Sequence, residues 1–394
     1  MNGSIARVAT IAAAVLLVVV LVVAAAFSIR LAWADFEFRR GTEDSVARAV
    51  RILPNNLQYR LFRALQMEYA GADSTAELER AAMLSPMSSA PRLRLGLQAE
   101  ARGDVKNAEK WLREAAQVDH EFEPRWALAN FYFRQDRRDK FWTWMRSALE
   151  VSYGDRRPAF DLCWRVAKDA GEILERGVPR QQRDVLAAML AYALENHRED
   201  AGAIATELAK VHDANDVPQL DAASSVLIDS GDAEGAAHLW IAAGHSMAGA
   251  PAEGVWNGNF ASVPGGAGFD WRLENPPGVT QVHVEGRGLR IELSGQQPEA
   301  ARLLRQIVLL DPGRRYRLEW SARTNGLPEV TGLAWTLGNR RFALLASEDE
   351  KKDGALIAAP KRLTPLELWY RRPSGQVRAE GWVEIHEVSL IPVP

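Results

Sequence analysis

Three stretches of equal length decide the fold: Asn55–Ser88 (NNLQYRLFRALQMEYAGADSTAELERAAMLSPMS), Ser89–Phe122 (SAPRLRLGLQAEARGDVKNAEKWLREAAQVDHEF) and Glu123–Arg156 (EPRWALANFYFRQDRRDKFWTWMRSALEVSYGDR). Stacked at a spacing of 34 residues, Ala81, Ala115 and Leu149 fall at one position. Leu61, Leu95 and Ala129 share a second, and Leu65, Ala99 and Phe133 a third. A helix hairpin of this length cannot bury its apolar face alone, so a period of 34 implies hairpins stacked into an array. Alanine at 81 and 115 lets the paired helices approach closely.

Working outward, the turn residues fall where such an array needs them. Pro54-Asn55-Asn56 closes one helix and opens the next, Ser85-Pro86 closes a hairpin, and Gly103-Asp104 separates Arg92–Arg102 from Val105–Val118. Beyond Gly154 the period loosens, but Pro158–Glu175, Pro179–Glu195, Arg198–His212 and Val217–Ser230 still read as amphipathic helices. Ser230-Gly231-Asp232, followed by Ala236, Trp240 and Ala243, repeats the turn signal.

The Leu95-Gly96 pair, Gly103-Asp104, Ala108, Leu112, Ala115 and the bulky Trp126 resemble a tetratricopeptide repeat. His120 and Gly154 stand where Pro86 stands in the earlier repeat, and Trp142 replaces a small residue. The resemblance implies a concave groove that binds peptides or partner proteins, and it places Phe131 and Arg134 on its lining. Read without it, the cluster Phe131-Tyr132-Phe133 and Phe141-Trp142-Thr143-Trp144 is core between hairpins.

Upstream, Val8–Ile29 runs 22 residues without a charge, enough to cover the ~30 Å hydrocarbon core as a helix. A cleaved signal peptide ending at Ala24-Ala25-Ala26 is the alternative. The apolar character continues through Phe27, Ile29, Leu31 and Trp33, which favours an uncleaved anchor. Arg7 precedes the run, whereas Arg30, Arg39 and Arg40 follow it; the short tail resembles a signal anchor, tail in the cytoplasm and body exported.

Near residue 250 the texture changes. Ala248–Gly254 reads as a linker, and period two replaces helical periodicity. Leu289, Ile291 and Leu293 alternate with Arg290 and Glu292; Tyr316, Leu318, Trp320 and Ala322 alternate with polar residues. These are half-buried antiparallel strands. Val383 and Ile385 share a phase that Val388 and Leu390 do not, which predicts a bulge near His386-Glu387. The expected organisation is multidomain: residues 1–32 a tail and transmembrane helix, 33–250 an all-α repeat solenoid, 251–394 an all-β jelly-roll sandwich.

The succession Trp256-Asn257-Gly258-Asn259-Phe260, Phe269-Asp270-Trp271-Arg272, Gly288–Glu292 and Gln306–Leu309 resembles jelly-roll carbohydrate-binding modules and other galactose-binding-like sandwiches. The resemblance implies a sugar ligand. Ala261 stands where such modules often carry a calcium-holding glutamate, so no metal is expected. A sugar ring stacks on an exposed aromatic. Trp320 and Trp335 share a face with aliphatic residues and read as core. Trp369, sharing its face with Glu367 and Arg371 while Leu366, Leu368 and Tyr370 divide between both sides, is the leading platform; Trp271, beside Asp270 and Arg272, is the second, although in similar modules this element often packs structurally.

Composition narrows the function. The net charge is −3, with 28 basic against 34 acidic groups in residues 34–250 and 18 against 17 in residues 251–394. No part is basic enough for nucleic acid. Cys163 alone cannot form an internal disulfide. No phosphate loop, metal spacing or nucleophile triad occurs; Glu199-Asp200 reads as a solvated face. Asp270, Glu292, Glu319 and Glu384 do not pair as glycosidase carboxylates, and His283 and His386 are isolated. The architecture resembles bacterial inner-membrane proteins, largely periplasmic, that serve exopolysaccharide or O-antigen assembly. It implies a non-catalytic scaffold without cofactor that docks envelope proteins and glycan. A pure protein-interaction assembly factor is the second reading, and an accessory glycosidase the third.

Overall fold

The structure, a computed structural model, describes residues 2–245 and 254–393, so nearly all of the expected linker at 248–254 lies outside the described residues. Two compact units divide the chain, Met1–Gly154 and Asp155–Pro394.

The first unit is a row of antiparallel helix pairs: α1 (Asn2–Arg39) with α2 (Glu43–Ile52), α3 (Leu57–Tyr69) with α4 (Thr75–Leu84), α5 (Ala90–Ala101) with α6 (Val105–Val118), and α7 (Phe122–Arg134) with α8 (Arg138–Glu150). Ala81, Ala115 and Leu149 are all fully buried. Each of the last three pairs turns through a left-handed residue, Gly71 (φ 72°), Gly103 (φ 78°) and Asp136 (φ 50°). Asp104 then caps α6, its side chain accepting the Asn107 N–H at 3.1 Å. Gly-Asp thus reads as a turn residue plus a cap.

Helix α1 does not end with its apolar run. Within it Ala13–Arg39 is long and apolar enough to cross a membrane, with mean hydropathy 2.8 over its most apolar window. The same helix continues to Ala34 and Phe38, which pack against Ala49, Val50 and Tyr59.

The second unit opens with α9 (Arg157–Val166), α10 (Ala170–Arg176), α11 (Arg183–Asn196), α12 (Ala201–Leu208), α13 (Val217–Ser230) and α14 (Ala233–Ala242). The helix expected over Pro158–Glu175 is broken at Ala167–Asp169, where Asp169 starts α10 by accepting the Glu172 N–H at 3.0 Å. The one expected over Arg198–His212 begins as a 3-10 turn, Arg198–Asp200, and α12 stops at Leu208. Burial pushes the Cys163 thiol well up, which makes it an inert core residue.

The sandwich follows. Strands β1 (Arg272–Leu273), β4 (Ala300–Leu309), β9 (Leu363–Arg371), β6 (Leu333–Leu337) and β7 (Arg340–Ala343) form one sheet in that order. Strands β2 (Val279–Val284), β3 (Gly288–Ser294), β10 (Glu380–Pro392), β5 (Arg315–Asn325) and β8 (Lys351–Ala358) form the other. From β3 onward the chain changes sheet at every step except the β6–β7 hairpin, in jelly-roll fashion, and every pairing is antiparallel. The β10–β5 register slips between Ile385 and Glu387. That bulge lets Val383, Ile385, Val388 and Leu390 all face the core. Trp271, Trp320, Trp335 and Tyr370 fill the space between the sheets.

Helices α13 and α14 pack directly on the outside of the first sheet. Ile307, Leu309 and Leu363 project outward there and meet Ile228, Ala233, Ala236, Ala237 and Trp240, with Phe269 and Trp256 alongside. A Cβ on Gly268 would lie 2.3 Å from the Trp240 ring, so only glycine admits this approach. The Gly268 N–H also donates to Ser225 Oγ at 2.6 Å. At the rim, Arg362 reaches Glu234 at 2.8 Å and Asp311 at 2.5 Å.

Candidate functional site

The first sheet's outer face continues beyond the helices into the residues singled out from sequence. On β9 the alternation is strict: Leu366, Leu368 and Tyr370 are fully buried, correcting the expectation that they divide between two sides. Glu367, Trp369 and Arg371 take the outer side. Arg302 pairs in register with Trp369, and Arg305 with Glu367.

Trp369 is half-buried and already partnered. Its Nε1–H donates to Glu367 Oε2 at 2.8 Å. Guanidinium carbons of Arg371 and Arg302 lie 5.7 and 5.9 Å from its ring centre, within cation–π range. Arg302 also bridges Glu274 at 2.5 Å and Glu367 at 3.0 Å. The structure therefore brings Trp369, Glu367 and Arg371 together but not Trp271. That residue has no exposed surface, its ring stacks on Phe260 at 5.5 Å, and its Nε1–H donates to the Asn257 carbonyl at 3.2 Å. Its alternation with the polar Asp270 and Arg272 misled because a loop, not a strand, delivers the ring to the core.

Among the described residues no helix covers the second sheet's outer face, which is polar. At its centre Glu384 has a fully buried side chain. Arg290 donates to its Oε2 at 2.7 and 3.1 Å, and Arg323 to its Oε1 at 2.7 and 3.0 Å. Burial opposes ionisation, but the two guanidiniums outweigh it and hold the carboxyl below its ordinary range. Both arginines lie against the half-exposed Trp382, at 4.5 and 5.4 Å. Sequence alternation put Glu384 outside, as it is; the two arginines that enclose it come from β3 and β5, and no local signal announces them.

Beyond this network a groove of about 550 Å³ crosses β10, β5 and β8. Arg317, Glu319, Ser389 and Lys352 supply donors and acceptors along it, and Leu356 and Ile391 supply apolar surface. Gly354 lies on its floor, where a Cβ would come within 2.7 Å of the Leu318 carbonyl oxygen. Sequence reading passed over this groove because its lining looks like ordinary charged alternation on a wet face.

In the first unit the structure separates the two expected groove residues. Phe131 is fully buried and packs edge-on against Tyr132 at 5.2 Å, so it is core and not groove lining. Arg134 is exposed and bidentate to Glu100, both contacts at 2.7 Å. The two residues are 34 apart, one position in successive repeats, so the pair staples hairpin to hairpin. Arg102 with Asp73 at 2.6 Å and Arg94 with Glu68 at 2.9 Å extend the ladder.

His197, Glu199 and Asp200 lie close enough for their ligand atoms to fall within 4.8 Å. Asp200, however, accepts from Trp164 Nε1 at 2.9 Å and from the Ala170 N–H at 3.3 Å, and His197 stacks on Trp164 at 4.6 Å. These contacts brace helix ends. Around Ala261 the loop is likewise held by protein groups: Asn257 exchanges two hydrogen bonds with Ser262, and Asp270 accepts from the Gly265 and Trp271 N–H groups at 2.5 and 2.7 Å. Burial pushes the Asp270 carboxyl up against those hydrogen bonds.

No protein-family model matches the chain and no curated protein does. Among solved structures it is similar to a CBM4, at 11% identity and TM-score 0.28, over 35% of this chain and 99% of that one. It is also similar to Pseudomonas aeruginosa PilF, at 16% identity and TM-score 0.27, over 47% of this chain and 89% of that one. YrrB, a TPR protein with an unusual peptide-binding site, matches at 9% identity and TM-score 0.27, over 51% of this chain and 92% of that one.

Proposed function

We propose that the chain is a non-catalytic scaffold of the bacterial envelope, tethered in the inner membrane by residues 1–32 with its bulk in the periplasm. The repeats of residues 33–250 dock partner proteins, and the sandwich of residues 251–394 holds a neutral polar ligand of the glycan class. Exopolysaccharide or O-antigen assembly is the process we assign it to, on the resemblance of its architecture.

The single observation that carries the ligand half is the groove across β10, β5 and β8. It mixes hydrogen-bonding groups of both signs with two aliphatic side chains, a lining suited to a hydroxyl-rich ligand without net charge. Arg317 and Glu319 would bind hydroxyls, and Leu356 and Ile391 would take the apolar edge of a sugar. This moves the site away from Trp369, whose indole N–H and ring are already engaged.

The test is calorimetric titration of the detergent-solubilised full chain with soluble bacterial polysaccharides. A saturable signal that Arg317→Ala and Glu319→Ala each weaken, with Trp369→Ala unchanged, supports the groove. A signal lost only in Trp369→Ala returns the site to the other sheet. Silence across a broad panel from well-folded protein leaves the second reading, a pure protein-interaction assembly factor. One observation favours that second reading: neither of the two foreseen platforms, Trp369 and Trp271, offers a bare ring.

A further inference from the structure

The apolar run and the first repeat share one unbroken helix, and this has a positional consequence. With a rise of about 1.5 Å per residue, Trp33 lies roughly 6 Å beyond Ile29, and Phe36 roughly 10 Å. The headgroup zone of a bilayer is about 5–7 Å deep on each side of the hydrocarbon core. Trp33 therefore falls within it, and Phe36 lies about 3–5 Å past its outer edge, within reach of a ring directed back toward the bilayer. Both rings are uncovered, 57% and 56% exposed, and lie 5.9 Å apart.

A second contact brings another element to the same level. Arg30, one residue past the charge-free run, donates to the Ile52 carbonyl at 2.6 and 2.9 Å. Ile52 is the last residue of α2, so the turn from α2 to α3 is held beside the final apolar turn of α1. Arg51 is exposed on that turn. The nearby acids do not oppose an anionic surface, because they are spent internally. Asp35 pairs with Arg39 at 2.8 Å, and the buried Glu37 pairs with Arg48 at 3.0 Å and Arg40 at 3.6 Å.

We propose that Trp33, Phe36, Arg30 and Arg51 form a headgroup-contact surface that seats the first repeat on the bilayer. Trp33 occupies the interfacial zone, as tryptophan rings commonly do, Phe36 borders it, and the guanidiniums face phospholipid phosphates. Because α1 is continuous and packed on α2, this seating sets the tilt of the first unit's helix row against the membrane. The occupant is the bilayer surface; the inference rests on the tether reading.

Spin labels test it on the full chain reconstituted in phosphatidylcholine–phosphatidylglycerol vesicles. Single cysteines replace Val20, Trp33, Phe36, Arg51 and the exposed Met87, in a Cys163→Ala background. Collision with oxygen against a water-soluble nickel chelate reads depth. The ratio is expected to be highest at 20, several-fold above the Met87 reference at 33, and intermediate at 36 and 51. If 20 lies in hydrocarbon while 33, 36 and 51 match 87, the seating is overturned and the tether stands. If 20 also matches 87, both fall. Arg51→Glu with the label at 36 should reduce the ratio there; no change would remove the phosphate contact from the proposal.

Discussion

The two sheets of the sandwich meet their surroundings in opposite ways. The first turns Ile307, Leu309 and Leu363 outward and covers them with α13 and α14. The second turns Arg290, Arg323, Glu384 and Arg317 outward and, among the described residues, stays open. A β-sheet in water needs one buried face and tolerates one wet face. An apolar patch on the nominally wet face therefore implies a cover, and here the cover is the chain's own helix pair. The lesson concerns boundaries. The change of texture near residue 250 marks where helices give way to strands, yet the compact unit that includes the sandwich starts at Asp155.

The cover's weight is the largest effect to look for. Trp240 is 1% exposed and lies within ring contact of His245, Trp256 and Phe269. Trp240→Ala should cost about 3–5 kcal/mol, as large-to-small aromatic deletions in cores do, read as a lowered urea midpoint. Trp240→Phe should recover much of it, since the indole Nε1–H is buried without a hydrogen-bond partner among the described residues. If Trp240→Ala leaves the midpoint in place, the helix pair and the sandwich are not energetically coupled. A chain cut to residues 254–394 should, for the same reason, bind an apolar dye that the full chain does not.

The open face has a different weak point. Glu384→Gln keeps the shape but leaves the guanidiniums of Arg290 and Arg323 facing an amide. Both are partly exposed, 29% and 32%, so water softens the loss to about 1–3 kcal/mol. The pH dependence follows from the sign of the shift. The Glu384 carboxyl titrates below its unfolded value, so its stabilisation is complete above roughly pH 4.3 and is lost as pH falls through the lower folded value. Asp270 has the opposite sign: its raised carboxyl gains stability as pH falls through the folded value. Urea midpoints measured downward through the carboxylate range should therefore fall less steeply in Glu384→Gln than in the native chain. Equal slopes would mean that the two arginines do not hold the charge.

How much of this was legible depends on whether the signal was local. The Gly103-Asp104 turn and the phase slip after Ile385 are carried by neighbouring residues, and the 34-residue spacing by recurrence along the chain; the structure has a cap, a bulge and helix hairpins there. Aromatics in the repeats were harder. Phe131 has two readings, groove lining by repeat position and core by its aromatic cluster, and the structure buries it. Trp271 sits between two polar residues yet is delivered to the core by a loop braced through Asp270. Long-range pairings were not legible at all: Arg290 and Arg323 lie 94 and 61 residues from Glu384, and nothing near each one names the partner. The Glu100–Arg134 staple is the exception, since opposite charges one repeat apart could have been sought.

The smallest expected effect separates the rim of the cover from its centre. Arg362 binds Glu234 on α14 and Asp311 on the sandwich, with its own side chain 32% exposed and that of Glu234 64% exposed. Exposed ion pairs are worth little because water screens them and both side chains lose freedom. Glu234→Ala should accordingly cost about 0.2–1 kcal/mol, since Arg362 keeps Asp311. Arg362→Ala should cost more, because it removes the contacts to both acids at once, although Asp311 keeps Arg314 at 3.5 Å. A double-mutant cycle over Glu234 and Arg362, set beside the Trp240 result, gives the ratio of rim to centre. A coupling as large as the loss at Trp240 would mean that charge, not apolar contact, fastens the helices to the sheet.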